Sequence, residues 1–354
     1  MKKRFLIVLA MLPILSVLFL YSNAETNVTY VMSQQYPIGE EALFDIYQIY
    51  PITTPTFPPR SKQPTSIPTD RPVYITNHGQ IITLPDEYLG ASDNPIEVQP
   101  TIPEYLPITP AGIIPPDTRY PVGSSNTTFP YSAVVHYDKT WADTYEAKWC
   151  TGSMISPSTV LTAAHCVYDA VEHITDPWAV NIIAYPGKDS TSPNPTPYGS
   201  CTALEVLVPR QWIEYGQPKE YDNAFIRLNC TIGYDSGIFG FRTYIDSDFT
   251  TFLVGYPDDK NSDGTEMWYG LGSMLHSDPL FSYYNNDTLG GNSGSPVWQH
   301  AYSYCSNCIM AVHSRYFPDV PENGGPRVAG DFYEFLLYER EFITQQLFLP
   351  MVIN

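Results

Sequence analysis

Basic residues are scarce in this 354-residue chain: 18 Lys and Arg stand against 37 Asp and Glu, a formal charge of −19. A surface so poor in cations cannot neutralise a row of phosphates. Nucleic acid is therefore excluded as a partner, and stable attachment to anionic membranes is excluded on the same ground. Charged residues of both signs reach only 16%, too few for a coiled coil or a helical bundle. No run beyond the first 24 residues could span a bilayer, since the tail Leu347 to Ile353 is apolar but far too short. What is abundant is proline (34) and tyrosine (28), which suits a β-rich extracellular protein with many loops.

Lys2, Lys3 and Arg4 precede an apolar run from Phe5 to Tyr21, and Ser22-Asn23-Ala24 supplies small residues for cleavage. Residues 1–24 therefore read as a secretory signal peptide, and the protein as secreted. In an oxidising compartment the even set of six cysteines defaults to disulfides. Residues 25–116 are of different material. Sixteen of the 34 prolines lie between 25 and 120, and Pro51-Ile-Thr-Thr-Pro-Thr-Phe-Pro-Pro59 reads as extended polyproline. Proline removes backbone donors, so long helices and central strands are not expected here. With no cysteine and 3 basic against 10 acidic residues (−7), this span reads as a largely irregular propeptide or linker.

From 117 to 354 short β-type runs alternate with turn residues. They include Ser132–Tyr137, Ala179–Ala184, Ala203–Val208, Ala224–Leu228, Thr251–Val254 and Cys308–His313. Only the end has a helical period, with Phe332, Phe335, Leu336 and Phe342 on one face between Asp331 and Gln345. The spacing predicts an all-β domain, a double barrel or a sandwich, closed by one helix.

Three stretches carry chemistry: Leu161-Thr-Ala-Ala-His-Cys166, Tyr221-Asp-Asn-Ala-Phe-Ile-Arg-Leu228 and Gly290-Gly-Asn-Ser-Gly-Ser-Pro296. Each alone reads equally well as a core histidine, a strand start or a plain loop. Together they supply a nucleophile, its base and the base's carboxylate. A serine hydroxyl needs a base to take its proton, and the base needs a carboxylate to fix its tautomer. Glycines before Ser293 allow a turn that aims N–H groups at an oxyanion. The order His165, Asp222, Ser293 is that of the chymotrypsin class.

The sequence here resembles the trypsin-like serine endopeptidases, and among them the bacterial glutamyl endopeptidases. The motifs that carry it are Cys150-Thr-Gly-Ser-Met-Ile155, Thr162-Ala-Ala-His-Cys166, Asp222-Asn-Ala-Phe-Ile226, Gly255-Tyr-Pro257, Gly290–Pro296 and Ala311-Val-His313. They run over about two thirds of the chain. The resemblance implies a chymotrypsin-like pair of six-stranded antiparallel β-barrels with the site between them. It implies His165 as general base, Asp222 as orienting carboxylate, Ser293 as nucleophile, and the N–H groups of Gly291 and Ser293 as oxyanion hole. Asn292 departs from the Asp of digestive trypsins and, being neutral, cannot pair with a freed N-terminal amine.

For the pocket, the resemblance assigns Thr288 and His313, with Ser314 beside them, to a substrate glutamate, because a carboxylate needs donors or positive charge. Asp287 is a rival signal, since it lies six residues before Ser293, where trypsins hold an acid for Arg or Lys. His313 favours glutamate. Arg315 stands where an aromatic residue is usual, either adding positive potential or pointing to solvent. Cys150 and Cys166 match the family's bridge at the histidine loop. Cys305 and Cys308 are expected to form a small ring, which leaves Cys201 with Cys230. Asp259-Lys-Asn-Ser-Asp-Gly264 opens like a calcium loop, but position twelve is Gly270, so an acidic hairpin tip is expected and Asp259, Asn261 and Asp263 remain a weak calcium option.

The reading is a secreted, monomeric serine endopeptidase that needs no cofactor and cleaves proteins or peptides after Glu, with Asp weaker. Arg/Lys or broad specificity is the alternative within that class, and a non-catalytic binding protein on the same fold is the alternative outside it. No basic residue lies between Arg71 and Arg119, whereas Glu87, Glu97 and Glu104 do, so self-cleavage near Glu97 or Glu104 is the expected maturation route.

Overall fold

The computed structural model describes residues 71–91, 112–243, 249–261, 263–299, 305 and 307–348, with side chains to Glu341, and the backbone of three short strands nearer the N-terminus. The chain divides into two units, Met1–Ser61 and Lys62–Asn354. In the first, β1 (Leu6–Leu9), β2 (Ser16–Asn23) and β3 (Val28–Gln35) pair antiparallel in sequence order. The apolar run read as a signal peptide supplies β1 and β2.

The second unit opens with a hairpin of β4 (Val73–Thr76) and β5 (Ile81–Thr83), then β6 (Arg119–Pro121). The first barrel uses β7 (Val134–Trp141), β8 (Ala147–Ser156), β9 (Thr159–Thr162), β10 (Ala179–Pro186) and β11 (Cys201–Pro209). After a short α1 (Arg210–Glu214) comes its sixth strand, β12 (Ala224–Leu228). The order is β10-β7-β8-β9-β12-β11, and β11 closes on β10 where Thr202 faces Ile183 and Cys201 faces Ala184. Six antiparallel strands thus form a barrel with no free edge around that ring. Met154, Val160, Val206 and Ile226 are among its fully or nearly fully buried side chains.

A short α2 (Gly233–Ser236) leads to the second sheet. Its strands are β13 (Gly240–Phe241), β14 (Thr250–Gly255), β15 (Trp268–Ser277), β16 (Phe281–Tyr284), β17 (Pro296–Gln299), β18 (Cys308–Val312), β19 (Arg315–Phe317) and β20 (Glu322–Pro326). They run in the order β13-β18-β17-β14-β15-β16-β20-β19, with β6 added on β15, and a bridge from Ala311 to Arg327 brings the two ends together. The expected second six-stranded barrel is thus a curled sheet of nine strands. Leu253, Met274, Tyr284, Val297, Met310 and Ala311 form its own apolar cluster.

Helix α3 (Gly330–Phe348) is the expected C-terminal helix and runs slightly longer than its apolar period. Phe332, Phe335 and Leu336 are buried. Phe335 lies against Tyr74 with ring centroids 3.9 Å apart, and Phe332 lies 6.4 Å from Phe225 of β12. Phe342 is outside the described side chains.

Within residues 25–116 the described part contains a hairpin in which β4 extends the first sheet from β11 and β5 follows it. Pro72 and Pro85 flank this hairpin and do not interrupt it, so the missing donors fall outside the paired strands. Glu87 lies in a 3-10 turn after β5, whereas Glu97 and Glu104 are outside the described residues.

Candidate active site

Strands β9 and β12 pair directly, with Ala224 opposite Thr162. His165 sits in a 3-10 turn just after β9, and Asp222 follows another turn just before β12. The pairing therefore brings the two together. His165 Nδ1 is 2.8 Å from Asp222 Oδ2, and the His165 backbone N–H donates to Oδ1 at 2.9 Å. The carboxylate thus grips the ring and its backbone at once. With Nδ1–H directed at Asp222, Nε2 is the nitrogen left to accept a proton.

Asp222 is fully buried. Burial alone opposes its charge, but the charge and hydrogen bond of His165, the nearby Arg315 guanidinium and the Ser314 hydroxyl hold it well below the usual carboxylate range. Ser314 donates its hydroxyl to Oδ2, and Arg315 Nη2 is 3.6 Å from the same oxygen. Arg315 is 5% exposed, so it neither points to solvent nor stands apart from the site. The sequence carried no signal of this contact beyond the unusual residue type.

Ser293 lies in the loop before β17 and is partly exposed. Its carbonyl accepts from Thr151 N–H of β8 at 2.9 Å, and Gly294 N–H donates to the His313 carbonyl at 2.8 Å. Ser293 O and His165 Nε2 each lie 3.8 Å from Cys166 Sγ, so both sides of the site meet at the Cys150–Cys166 bridge. No hydrogen bond joins the Ser293 hydroxyl to His165 in the described structure. Such links are often long without substrate. Gly291 has φ +84°, and a Cβ there would come within 2.2 Å of the Tyr256 carbonyl. Only glycine fits both constraints. Thr151 Oγ1 holds the Gly291 carbonyl at 2.8 Å. The N–H groups of Gly291 and Ser293 donate to no group among the described residues.

His313 follows β18 and is fully buried. Its Nδ1 is 2.8 Å from the Tyr284 hydroxyl, and its Nε2 has no partner among the described residues. Tyr284 is also fully buried, with no other acceptor among the described residues. Its O–H therefore donates to Nδ1, which leaves the ring hydrogen on Nε2. Burial, reinforced by His165 and opposed by Asp222, pushes the imidazole down to about 3, so it is neutral near pH 7. Thr288 Oγ1 donates to Asn323 Oδ1 at 2.8 Å. Neither Tyr284 nor Asn323 announces itself in the sequence.

Asp287 is 1% exposed, and its oxygens are taken. Oδ1 accepts from Ile114 N–H at 2.7 Å. Oδ2 accepts from Thr118 N–H at 2.7 Å and from the Thr118 hydroxyl at 2.8 Å. Beside it, Asn323 holds Gly112 at both its N–H and its carbonyl. The acid that rivalled His313 is thus turned toward the 112–118 segment.

The trypsin family's sequence model matches residues 122–236. The chain is 33% identical over 241 residues to the glutamyl endopeptidase of Bacillus licheniformis, a stretch that is 66% of this chain and 71% of that one. The chain belongs to the trypsin family. This trypsin-family protein is also 33% identical over 234 residues, 65% of it and 70% of the other, to a Bacillus subtilis (strain 168) protein named extracellular metalloprotease. The solved structure of a Glu endopeptidase in complex with MPD superposes with a TM-score of 0.56 at 29% identity, covering 65% of this chain and 99% of that one. The protease is thus a serine endopeptidase acting on proteins or peptides, similar to the glutamyl endopeptidases.

All three expected disulfides form in the protease: Cys150–Cys166, Cys201–Cys230 and Cys305–Cys308. The acidic loop is occupied by protein donors. Both Asp259 oxygens receive Arg119, and Lys260 Nζ lies 3.8 Å from Oδ2. Asn261 exchanges hydrogen bonds with Thr265, and Asp263 accepts from the Thr265 N–H and hydroxyl. Among the described residues, no three His, Cys, Asp or Glu side chains converge as a metal would need. No helix among them is long and apolar enough to cross a membrane.

Proposed function

We propose that the protein is a secreted endopeptidase that cleaves after glutamate by a Ser293–His165–Asp222 triad. Ser293 Oγ attacks the scissile carbonyl while His165 Nε2 takes its proton. Asp222 keeps the ring in the productive tautomer and stabilises the imidazolium that forms. The unengaged N–H groups of Gly291 and Ser293 receive the oxyanion. His165 then gives its proton to the leaving amine, and water repeats the cycle on the acyl-enzyme.

The observation that carries the specificity is His313. A buried imidazole with Nδ1 fixed by Tyr284 and Nε2–H unpartnered is a donor waiting for an acceptor, since an unmet buried N–H is costly. A glutamate carboxylate satisfies it, and Thr288 adds a second donor when its hydroxyl turns from Asn323 Oδ1, which keeps the Gly112 N–H. An Arg or Lys side chain offers no acceptor, and Asp287 already has three donors. The test is a digest of one unstructured protein with the cut sites read by mass spectrometry. Cuts after Glu, with Asp weaker, are expected. His313→Ala and Thr288→Val should each lose kcat/KM on Glu substrates by about a hundredfold, the scale of one lost charged-group hydrogen bond. Cuts mainly after Arg or Lys would return the pocket to Asp287.

A further inference from the structure

The β4–β5 hairpin lies in the span that reads as a removable propeptide, yet it is packed like core. Val73 and Tyr74 are 2% exposed, Thr76 is fully buried and Leu84 is 1% exposed. Tyr74, Ile75 and Thr76 pair with Pro209, Val208 and Leu207 of β11. Asn77 N–H donates to the Val206 carbonyl and Val206 N–H returns to Asn77 Oδ1, both at 3.0 Å. The far end is tied to α3. Gly90 N–H donates to Glu334 at 2.7 Å, and the Tyr88 hydroxyl donates to Glu341 at 2.9 Å. Between these anchors the Tyr74 ring lies against Phe335 and 5.3 Å from Phe225, while its hydroxyl donates to Asn223 Oδ1. Asn223 is 1% exposed and directly follows Asp222.

A leader that is shed should leave a surface able to face water. Shedding this one would uncover Phe335 and the β11 edge, and would strip Asn223 of a buried hydrogen bond. We propose that the 71–91 hairpin is a permanent part of the active protease. After any cut between residues 91 and 112 it stays seated on β11 and α3 as a second, noncovalent chain, and Tyr74 acts as a positioning residue for the Asp222 turn. The seating is independent of the specificity proposed above. Only the activity arm rests on Asp222 being catalytic.

The experiment uses the full chain with a site for a sequence-specific protease inserted between residues 95 and 105. The protein is cut to completion and passed over a sizing column under native conditions, and each peak is denatured for mass measurement. The fragment ending at the cut should travel with the 112–354 chain, both in the active protein and in Ser293→Ala. Tyr74→Ala should release it. Tyr74→Phe should keep it bound while lowering kcat several-fold at unchanged KM, a split that mere packing would not produce. Escape of the fragment with kcat/KM unchanged or raised would make it a spacer or an inhibitor and overturn the proposal. Unchanged kcat in Tyr74→Phe would overturn the positioning role, even if Tyr74→Ala failed to fold.

Discussion

Asp222 is a buried carboxylate that stays charged because its surroundings answer it on several sides: the His165 ring and N–H, the Ser314 hydroxyl and the Arg315 guanidinium. Ser293 is held differently, by its backbone, which leaves the hydroxyl free of structural duty. Ser293→Ala should therefore keep the fold and lose on the order of a million-fold in turnover. Circular dichroism beside peptide hydrolysis checks both halves, and activity near wild type would contradict the assignment. Lys139 is a second buried charge near the site. Its Nζ donates to the carbonyl of Cys166, next to His165, and lies 4.3 Å from the Trp141 ring centre. Burial, aided by Lys148 and opposed by Asp169 and Glu172, pulls it from 10.5 down to about 7. Between those values the unfolded chain holds a proton that the folded chain has released, so this residue makes stability rise with pH through that window. Lys139→Met should flatten the rise. Urea midpoints of both proteins from pH 7 to 10 would show it, and parallel curves would refute it.

At the scale of elements, α3 is fastened to the first barrel by charge as well as by aromatic packing. Arg227 of β12 makes two bonds to Glu339, at 3.0 and 2.6 Å, and one to Glu205 of β11 at 2.8 Å. Glu339 is fully buried. Removing the Glu339 charge leaves the buried Arg227 guanidinium with Glu205 as its remaining carboxylate, so Glu339→Gln should destabilise by about 2 kcal/mol. Equilibrium urea unfolding measures it, and a change below about 0.5 kcal/mol would mean that the aromatic contacts alone hold the helix. The strands announced themselves through β-branched and aromatic runs bounded by turn residues, and β7, β10, β11, β12, β14 and β18 all fall on such runs. β4 and β5 did not stand out, because proline-rich neighbours masked two short runs that gain stability only by pairing with β11.

For the whole molecule, the charge of −19 leaves few cations, and several are placed against carboxylates inside the fold. The disulfides divide their labour: one joins the histidine turn to β8, one ties the start of β11 to the exit of β12, and one sits beside β18. Replacing Cys201 and Cys230 together by Ala should cost about 2–4 kcal/mol through the freed unfolded chain. A urea midpoint equal to wild type would contradict that. The sequence by itself determined the β class, the order of the three chemical motifs and the residue types that stand in them, since periodicity and reaction chemistry are local properties of the chain. Only the tertiary structure decided what surrounds those residues. It turned Asp287 toward Ile114 and Thr118, set Arg315 on Asp222, gave His313 its Tyr284 partner and drew the hairpin into the barrel. These contacts join residues as many as 173 positions apart, and partners so distant are chosen by how the strands pair, which no local pattern records.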